Sequence, residues 1–534
     1  MRLLVYTGLL SFLCLVTADT VVDLGYAKYR GNLSFPNTVA YLGLPYAEPP
    51  VGELRWRAPL PLNTTRVSQQ AGGAIVDATS YPEFCIQGSK GEGDAGGAGS
   101  EDCLHVNVYA PENAKKGDKL PVLVYIHGGA YVEGNPADWP FDHWIHQVPS
   151  VVIVSVYYRL DSFGFLSHPT FASSPSLGDL NVGFSDQTAA LHWVQEHIDA
   201  FGGDPGQVTI DGQSAGGSSI ELHLVASGQQ GLFHQAIAQS VYRTPLPSPE
   251  QQEPLFNSYA EKAGCGGLNT LSDTMTCLRK APVTALAPAE DAPFNGSYNA
   301  FHPVFDGKIF PERPTPAVLS GHFANVTLMI GSTSNETLST GATNLDSALE
   351  SFFPALTQAD LAAYNQVYPV SNFDNSSQQA RVGTGESELR CAVEIIGGAS
   401  AQRAPGRTFA YRYNTANPTT GDPLVEHAAE LWMMFLGSNT GLNGTVTFSP
   451  MTPSEQAFAS ELIAYWLSFV RSGNPNTFKL ARAPTWPEFT TDGTQRVVLT
   501  EGTVTSSGST VEMIPAAEKE RCAFVASKAT SQQA

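Results

Sequence analysis

Gly212-Gln213-Ser214-Ala215-Gly216 has the G-x-S-x-G spacing, in which flanking glycines let a chain turn sharply and lift a serine hydroxyl above a sheet. By itself the pattern is weak, because a glycine-rich chain can carry it as an ordinary turn. Its setting argues for chemistry. Val208-Thr209-Ile210 reads as a strand before the turn and Ser218 to Val225 as a helical start after it, which would give the serine the field of a helix N-terminus. A serine hydroxyl becomes a nucleophile only when a base takes its proton, and that base needs a carboxylate to fix its tautomer and stabilise the imidazolium. In a strand, turn, helix setting the order is serine, acid, histidine. Among the histidines that follow, His223 and His234 leave almost no chain for an intervening strand and acid, while His302 and His322 precede the best acid; His427 remains. Glu336, just past the apolar run ending at Ile330, lies where a carboxylate must sit to reach a histidine beyond the strand ends. Asp306, before Gly307, reads as a turn aspartate, and Asp422 leaves little chain to fold back onto His427.

Charge developing on a tetrahedral intermediate needs backbone N–H donors. His127-Gly128-Gly129-Ala130 follows a strong apolar strand and fits, joined by the amide of Ala215; His127 is expected to be a structural donor and not a base. His143 and His146 have the H-x-x-H spacing of a metal pair, but no third ligand stands out, so a surface helix without metal is expected. The chemistry described needs no cofactor.

The elements that would carry these residues alternate. LPVLVYIH (120 to 127) and SVVIVSVYY (150 to 158) are β-branched apolar runs, and DQTAALHWVQEHIDAF (186 to 201) has helical spacing. Strands without polar alternation imply a sheet covered on both faces, so the expected fold is α/β with a mostly parallel central sheet. From about 245 to 400 the pattern is irregular, with proline-rich joints, and predicts helices inserted over one end. Strand-like TFAYRY (408 to 413) resumes the sheet, and ELIAYWLSFVRSG (461 to 473) predicts a late packing helix stopped at Gly473. GSKGEGDAGGAGS (88 to 100) predicts a surface loop.

Lys and Arg total 29 against 50 Asp and Glu, a formal charge of -21, which lacks the footprint of a nucleic-acid or anionic-membrane binder. Residues 1–18 combine Arg2, an apolar stretch and small Ala18, and predict a signal peptide followed by one catalytic domain over 19–534. That stretch is shorter than the roughly 20 residues needed to span a bilayer, and no later segment reads as membrane-spanning, so a secreted, extracellular protein is expected. With Cys14 in the leader, Cys85, Cys103, Cys265, Cys277, Cys391 and Cys522 remain, an even set suited to disulfides. Sequence order suggests pairing them in succession, although counting alone does not choose among the pairings. Sequons at Asn32, Asn63, Asn295, Asn325, Asn375 and Asn443 are candidate glycosylation sites; a further one at Asn335, beside Glu336, is expected to stay empty.

The motifs sit within longer stretches, among them FPNTVAYLGLPYAEPPVGELRWRAP (35 to 59), SEDCLHVNVYAP (100 to 111), PVLVYIHGGAYVEG (121 to 134), NVGFSDQTAALHWVQEHIDAFGGDPGQVTIDGQSAGG (181 to 217) and WLSFVRSGNPN (466 to 476). Through them the chain resembles the type-B carboxylesterase and lipase family, which includes the cholinesterases, nearly from end to end. The resemblance implies an α/β-hydrolase fold and a small-molecule ester substrate. It puts Ser214, Glu336 and His427 in the triad and Gly129, Ala130 and Ala215 at the oxyanion amides, with Gly128 adjoining. It also implies Cys85 paired with Cys103 and Cys265 with Cys277, and a third pair, Cys391 with Cys522, resembling the cholinesterase branch. Departures are Thr337, where the family's Asp/Asn-Glu-Gly motif has glycine, Ala130 in its Gly-Gly-Gly, and Ser240-Val241 where members commonly have Ser-Gly. The short polar stretch between Cys85 and Cys103 is neither a lipase lid nor a carrier of the cholinesterases' cation-binding tryptophan, and Gln213 replaces their glutamate before the serine. An esterase acting on short- or medium-chain soluble esters is therefore expected. A lipase is the alternative, and a non-catalytic binding protein the second.

Overall fold

The computed structural model describes residues 20–88, 99–440, 446–490 and 495–534. The expected signal peptide, most of the glycine-rich loop and Asn443 lie outside the described residues.

The main sheet has the strands β1 (Asn32–Phe35), β2 (Thr38–Pro45), β3 (His105–Pro111), β4 (Leu120–Ile126), β5 (Val152–Val156), β6 (Gly203–Gln213), β7 (Gln235–Gln239), β8 (Thr327–Thr333), β9 (Thr408–Tyr413), β10 (Gln495–Leu499) and β11 (Thr510–Met513). Their order is β11-β10-β9-β8-β7-β6-β4-β5-β3-β2-β1. The run from β10 through β5 is parallel, and both margins are antiparallel. The expected mostly parallel sheet is thus present.

Successive side chains of a strand point to opposite faces, and the apolar runs split accordingly. Val122, Val124, Val154, Ala236 and Ile330 join one core, while Leu123, Tyr125, Ile153, Ile237 and Met329 join the other. Helices cover both faces, as uninterrupted apolar strands require. Helices α1 (Val182–His197) and α2 (Ala215–Val225) contribute Leu191, Val194, Ile220 and Leu222 to the first core. On the second, Trp466 and Phe469 of α3 (Pro453–Ser472) meet Tyr411 and Phe409 with ring centres 5.3 and 6.3 Å apart. Truncating such a ring to alanine costs about 3–5 kcal/mol. Helix α3 begins earlier than its apolar spacing suggests because Thr452 and Glu455 form a capping box with Pro453 in the first turn. It stops at Gly473, whose φ of 70° is left-handed.

Helices Pro249–Lys262, Leu271–Lys280, Val283–Glu290 and Pro314–Leu319 fall between β7 and β8. Between β8 and β9 lie Leu345–Phe352, Gln358–Val367, Ser376–Gly385 and Gly398–Arg403, the last two separated by π-helical turns Glu386–Arg390 and Val393–Gly397. The irregular middle is therefore helical, as expected, and β8 divides it. Disulfides join Cys85 to Cys103, Cys265 to Cys277 and Cys391 to Cys522. Among the described residues no helix is long and apolar enough to cross a membrane.

One expectation needs correction. The helix Asp142–Gln147 is not a surface helix: His143, Trp144 and Ile145 are buried on the second core because this turn packs under Phe435 and Met434. His143 Nε2 meets the Met434 carbonyl at 2.9 Å, and burial lowers its pKa to about 4. His146 Nδ1 lies instead against the Pro36 carbonyl and Asn37 Oδ1, so the two rings serve separate partners.

Candidate active site

Strand β6 ends at Gln213 and α2 begins at Ala215, leaving Ser214 alone in the turn with φ 61° and ψ -122°. A positive φ is strained for a residue with a side chain, and it persists here because the surroundings leave no alternative. A Cβ on Gly212 would meet Gly216 backbone at 2.5 Å, one on Gly216 would lie 2.0 Å from the Ile126 carbonyl oxygen, and one on Gly217 2.4 Å from that of Gln239. The glycines thus let α2 press against β4 and β7. The Ser214 N–H donates to the Gln239 carbonyl at 3.0 Å, fixing the turn from a neighbouring strand.

Ser214 Oγ is 2.7 Å from His427 Nε2, and His427 Nδ1 is 2.6 Å from Glu336 Oε1. The other oxygen, Glu336 Oε2, accepts the Thr333 N–H at 3.1 Å at the end of β8. Glu336 and Ser214 are buried, whereas His427 keeps 17% of its side chain exposed, which leaves the imidazole an open side. The three residues reasoned from sequence are brought together in one chain of contacts. The competing candidates are elsewhere: Asp306 accepts the N–H groups of Lys308, Ile309 and Phe310 in a turn, Asp422 accepts that of Leu424, His223 faces Gln229, His302 faces Thr244 and His322 pairs with Glu312.

Beside Ser214, the segment after β4 doubles back with φ of 111° at Gly129, 53° at Ala130 and 64° at Tyr131. A Cβ on Gly129 would collide with the Glu133 carbonyl at 2.0 Å, and one on Gly128 would lie 3.0 Å from Ser214 Cβ. Gly128 therefore acts as the spacer that lets this turn approach the serine. Ala215 is the first residue of α2, where an N–H has no intrahelical acceptor. His127 is buried, its ring stacked on Tyr158 at 4.5 Å and its Nδ1 2.8 Å from the Gly128 carbonyl; burial lowers its pKa to about 4, which suits a neutral structural ring.

Several supporting groups escaped the sequence reading. Asn335 donates its N–H to the Val425 carbonyl and accepts the Val425 N–H on Oδ1, both at 3.0 Å, clasping the acid's loop to the histidine's. Its only sequence signal was a sequon. Thr337, the third residue of that sequon, is buried with its hydroxyl 2.8 Å from that of Thr384. Glu430, three residues after His427, is buried with neither carboxylate oxygen hydrogen-bonded among the described residues. Burial, and then the charge of Glu336, raises its pKa to about 8. Asp211 below the elbow is raised to about 7, also by burial, against the bond it accepts from Gln239.

Two cavities lie near the site, one reaching His427 and the other Tyr242. One of about 230 Å³ is lined by His427 with Trp139, Leu424, Leu431, Trp432 and Ser438. The other, about 130 Å³, is lined by Tyr242, Phe352, His302 and neighbours, and the Tyr242 N–H lies 3.4 Å from the Ser214 carbonyl.

Comparison with known proteins gives a single family. The Carboxylesterase family profile matches residues 18–525. A para-nitrobenzyl esterase of Bacillus subtilis is 31% identical over 94% of this chain and 98% of its own. An acetylcholinesterase of Bungarus fasciatus is 29% identical over 86% of this chain and 79% of its own, and an acylcarnitine hydrolase of Mus musculus 30% over 84% and 81%. The crystal structure of Aspergillus niger EstA superposes with a TM-score of 0.84 at 29% identity, covering 97% of this chain and 99% of that one.

Proposed function

We propose that this chain, which belongs to the carboxylesterase family and is a carboxylic-ester hydrolase, works through Ser214, His427 and Glu336 on short- to medium-chain soluble esters. The observation that carries this reading is the unbroken run from Ser214 Oγ to His427 Nε2 at 2.7 Å and from Nδ1 to Glu336 Oε1 at 2.6 Å, ending on a serine at positive φ. His427 Nε2 takes the Oγ proton as Oγ attacks the ester carbonyl carbon. The resulting oxyanion is stabilised by the amides of Gly129, Ala130 and Ala215. His427 then gives the proton to the departing alcohol, leaving an acyl-Ser214 ester that water, deprotonated by the same ring, converts to acid and free serine. Glu336 holds the ring and stabilises the imidazolium throughout.

The substrate class is supported by the short polar stretch between Cys85 and Cys103, which offers no apolar lid for an oil surface, and by Gln213, where the cholinesterases carry a glutamate. Export is part of the same proposal: residues 1–18 act as a cleaved leader, 19–534 form the catalytic domain, and the three disulfides suit an oxidising compartment. Asn32, Asn63, Asn295, Asn325 and Asn375 are its proposed glycan sites, with Asn443.

The test is initial hydrolysis rates of p-nitrophenyl esters from acetyl to palmitoyl, below and above their solubility limits, with Ser214→Ala as control. Rates peaking at short chains and lost in the variant are expected. A jump at the solubility limit on long chains would replace the esterase with a lipase, and turnover that survives Ser214→Ala would remove the nucleophile.

A further inference from the structure

The loop that carries Glu336 is tied from outside as well as from within, where Glu336 Oε2 accepts the Thr333 N–H and Thr337 Oγ1 the Ser339 N–H, each at 3.1 Å. Immediately after the acid, residues 337–339 present a row of donors inward. All of them converge on one side chain. Glu388 Oε2 accepts the Leu338 N–H at 2.7 Å, the Thr337 hydroxyl at 3.2 Å and the Ser339 N–H at 3.3 Å, while Oε1 accepts the Ser339 hydroxyl. Glu388 is fully buried in the π-helical turn Glu386–Arg390, a local widening that often marks functional positions. Burial raises its carboxyl pKa, and the donors of the acid loop pull the other way.

The turn is itself anchored. Arg243, three residues past Ser240, donates its N–H to the Glu388 carbonyl at 2.9 Å and its guanidinium to that of Ser387 at 2.6 Å. Just before the turn, a Cβ on Gly385 would lie 1.8 Å from the Glu336 carbonyl oxygen, so backbone presses on the acid from the same side.

We propose that Glu388 is a positioning residue for Glu336: its carboxylate gathers the donors of residues 337–339 and so fixes where the acid meets His427. This rests on the reading of Glu336 as the triad acid. Glu388 touches neither Ser214 nor His427, so its effect passes through the loop and falls on turnover more than on substrate binding.

The experiment compares Glu388→Ala, Glu388→Gln and Ser339→Ala with Glu336→Gln on p-nitrophenyl acetate, each rate divided by active sites titrated with an organophosphate. Glu388→Ala is expected to lower kcat per site by about 10- to 100-fold with KM within about twofold, the size seen when outer partners of a functional group are removed. Glu388→Gln keeps an acceptor and should recover most of that loss. Ser339→Ala should cost about threefold and be non-additive with Glu388→Gln, as contacting residues are. The low-field proton resonance of the His427 to Glu336 hydrogen bond should shift in Glu388→Gln. If Glu388→Ala does not fold, the Gln and Ser339 variants decide. Unchanged kcat per site and an unmoved resonance, with only a lower melting temperature, would overturn the inference while leaving the triad intact, provided Glu336→Gln is crippled. Full activity in Glu336→Gln would overturn both.

Discussion

Ser214 follows β6 and Glu336 follows β8, two strands away in the same sheet, yet the two loops are held by opposite means. The serine turn is fixed by atoms that are missing. At Gly212, Gly216 and Gly217 the nearest neighbours of an added Cβ are backbone groups that cannot step aside. The acid loop is fixed by atoms that are present: Asn335, Thr337, Ser339 and Glu388 hold it through side-chain hydrogen bonds. A loop made of exclusions tolerates no addition, whereas a loop made of hydrogen bonds can be loosened in steps and repaired by any group that keeps the acceptor.

The sharpest way to break that contrast is Gly216→Ala. A methyl group 2.0 Å from the Ile126 carbonyl must displace α2 or the turn, and a shift near 1 Å costs about 10²-fold in rate. Steady-state kinetics showing wild-type kcat would mean the elbow is softer than described. Next comes Asn335→Leu, which strips the Val425 N–H of its acceptor; kcat is expected to fall about tenfold, by analogy with other outer partners. Asn335→Asp keeps Oδ1 and should stay within about threefold, so equal damage from both substitutions would remove the clasp from the account.

The elbow was legible in sequence for the same reason it is rigid: glycines leave a local mark. Strand β9 over Thr408–Tyr413 and the stop of α3 at Gly473 were legible too, since each is signalled within its own segment. The short margins β1, β10 and β11 were not, because four or five residues of mixed polarity carry little periodicity. Glu388 was invisible as a partner, since nothing near it in the chain names residues fifty positions earlier. Asn335 was read only as a sequon expected to stay empty, and its clasp exists only once β8 and the His427 loop are adjacent.

A smaller effect comes from a buried carboxyl just past His427. Glu430 carries a carboxyl whose pKa rises from an ordinary 4.5 to about 8 on folding. Between those values the folded chain holds a proton that the unfolded chain has lost, so this group's contribution to stability is complete below about pH 4.5 and fades as pH climbs through 8. Urea unfolding at pH 5 and pH 8 should show wild type losing more stability across that interval than Glu430→Gln, by of order 1 kcal/mol per pH unit at the steepest. Parallel slopes would mean Glu430 stays ionised. The smallest expected effect is none at all. With Asn335 half-buried and Thr337 enclosed, the peptide carrying that sequon should be unmodified by mass spectrometry after expression through a secretory route, and enzymatic deglycosylation should leave kcat unchanged. A glycan found there would require the clasp to open.

The bond between Cys391 and Cys522 spans 131 residues, and both sulfurs end up buried. Everything from β9 through β11 lies between them in the chain, so this bridge closes a loop that contains that whole margin of the sheet. The first two bridges close loops of 18 and 12 residues. Oxidation of this third pair thus staples an assembled margin: removing it by paired Cys→Ser substitution should lower the melting temperature more than removing either short bridge, because the loop it closes is the longest.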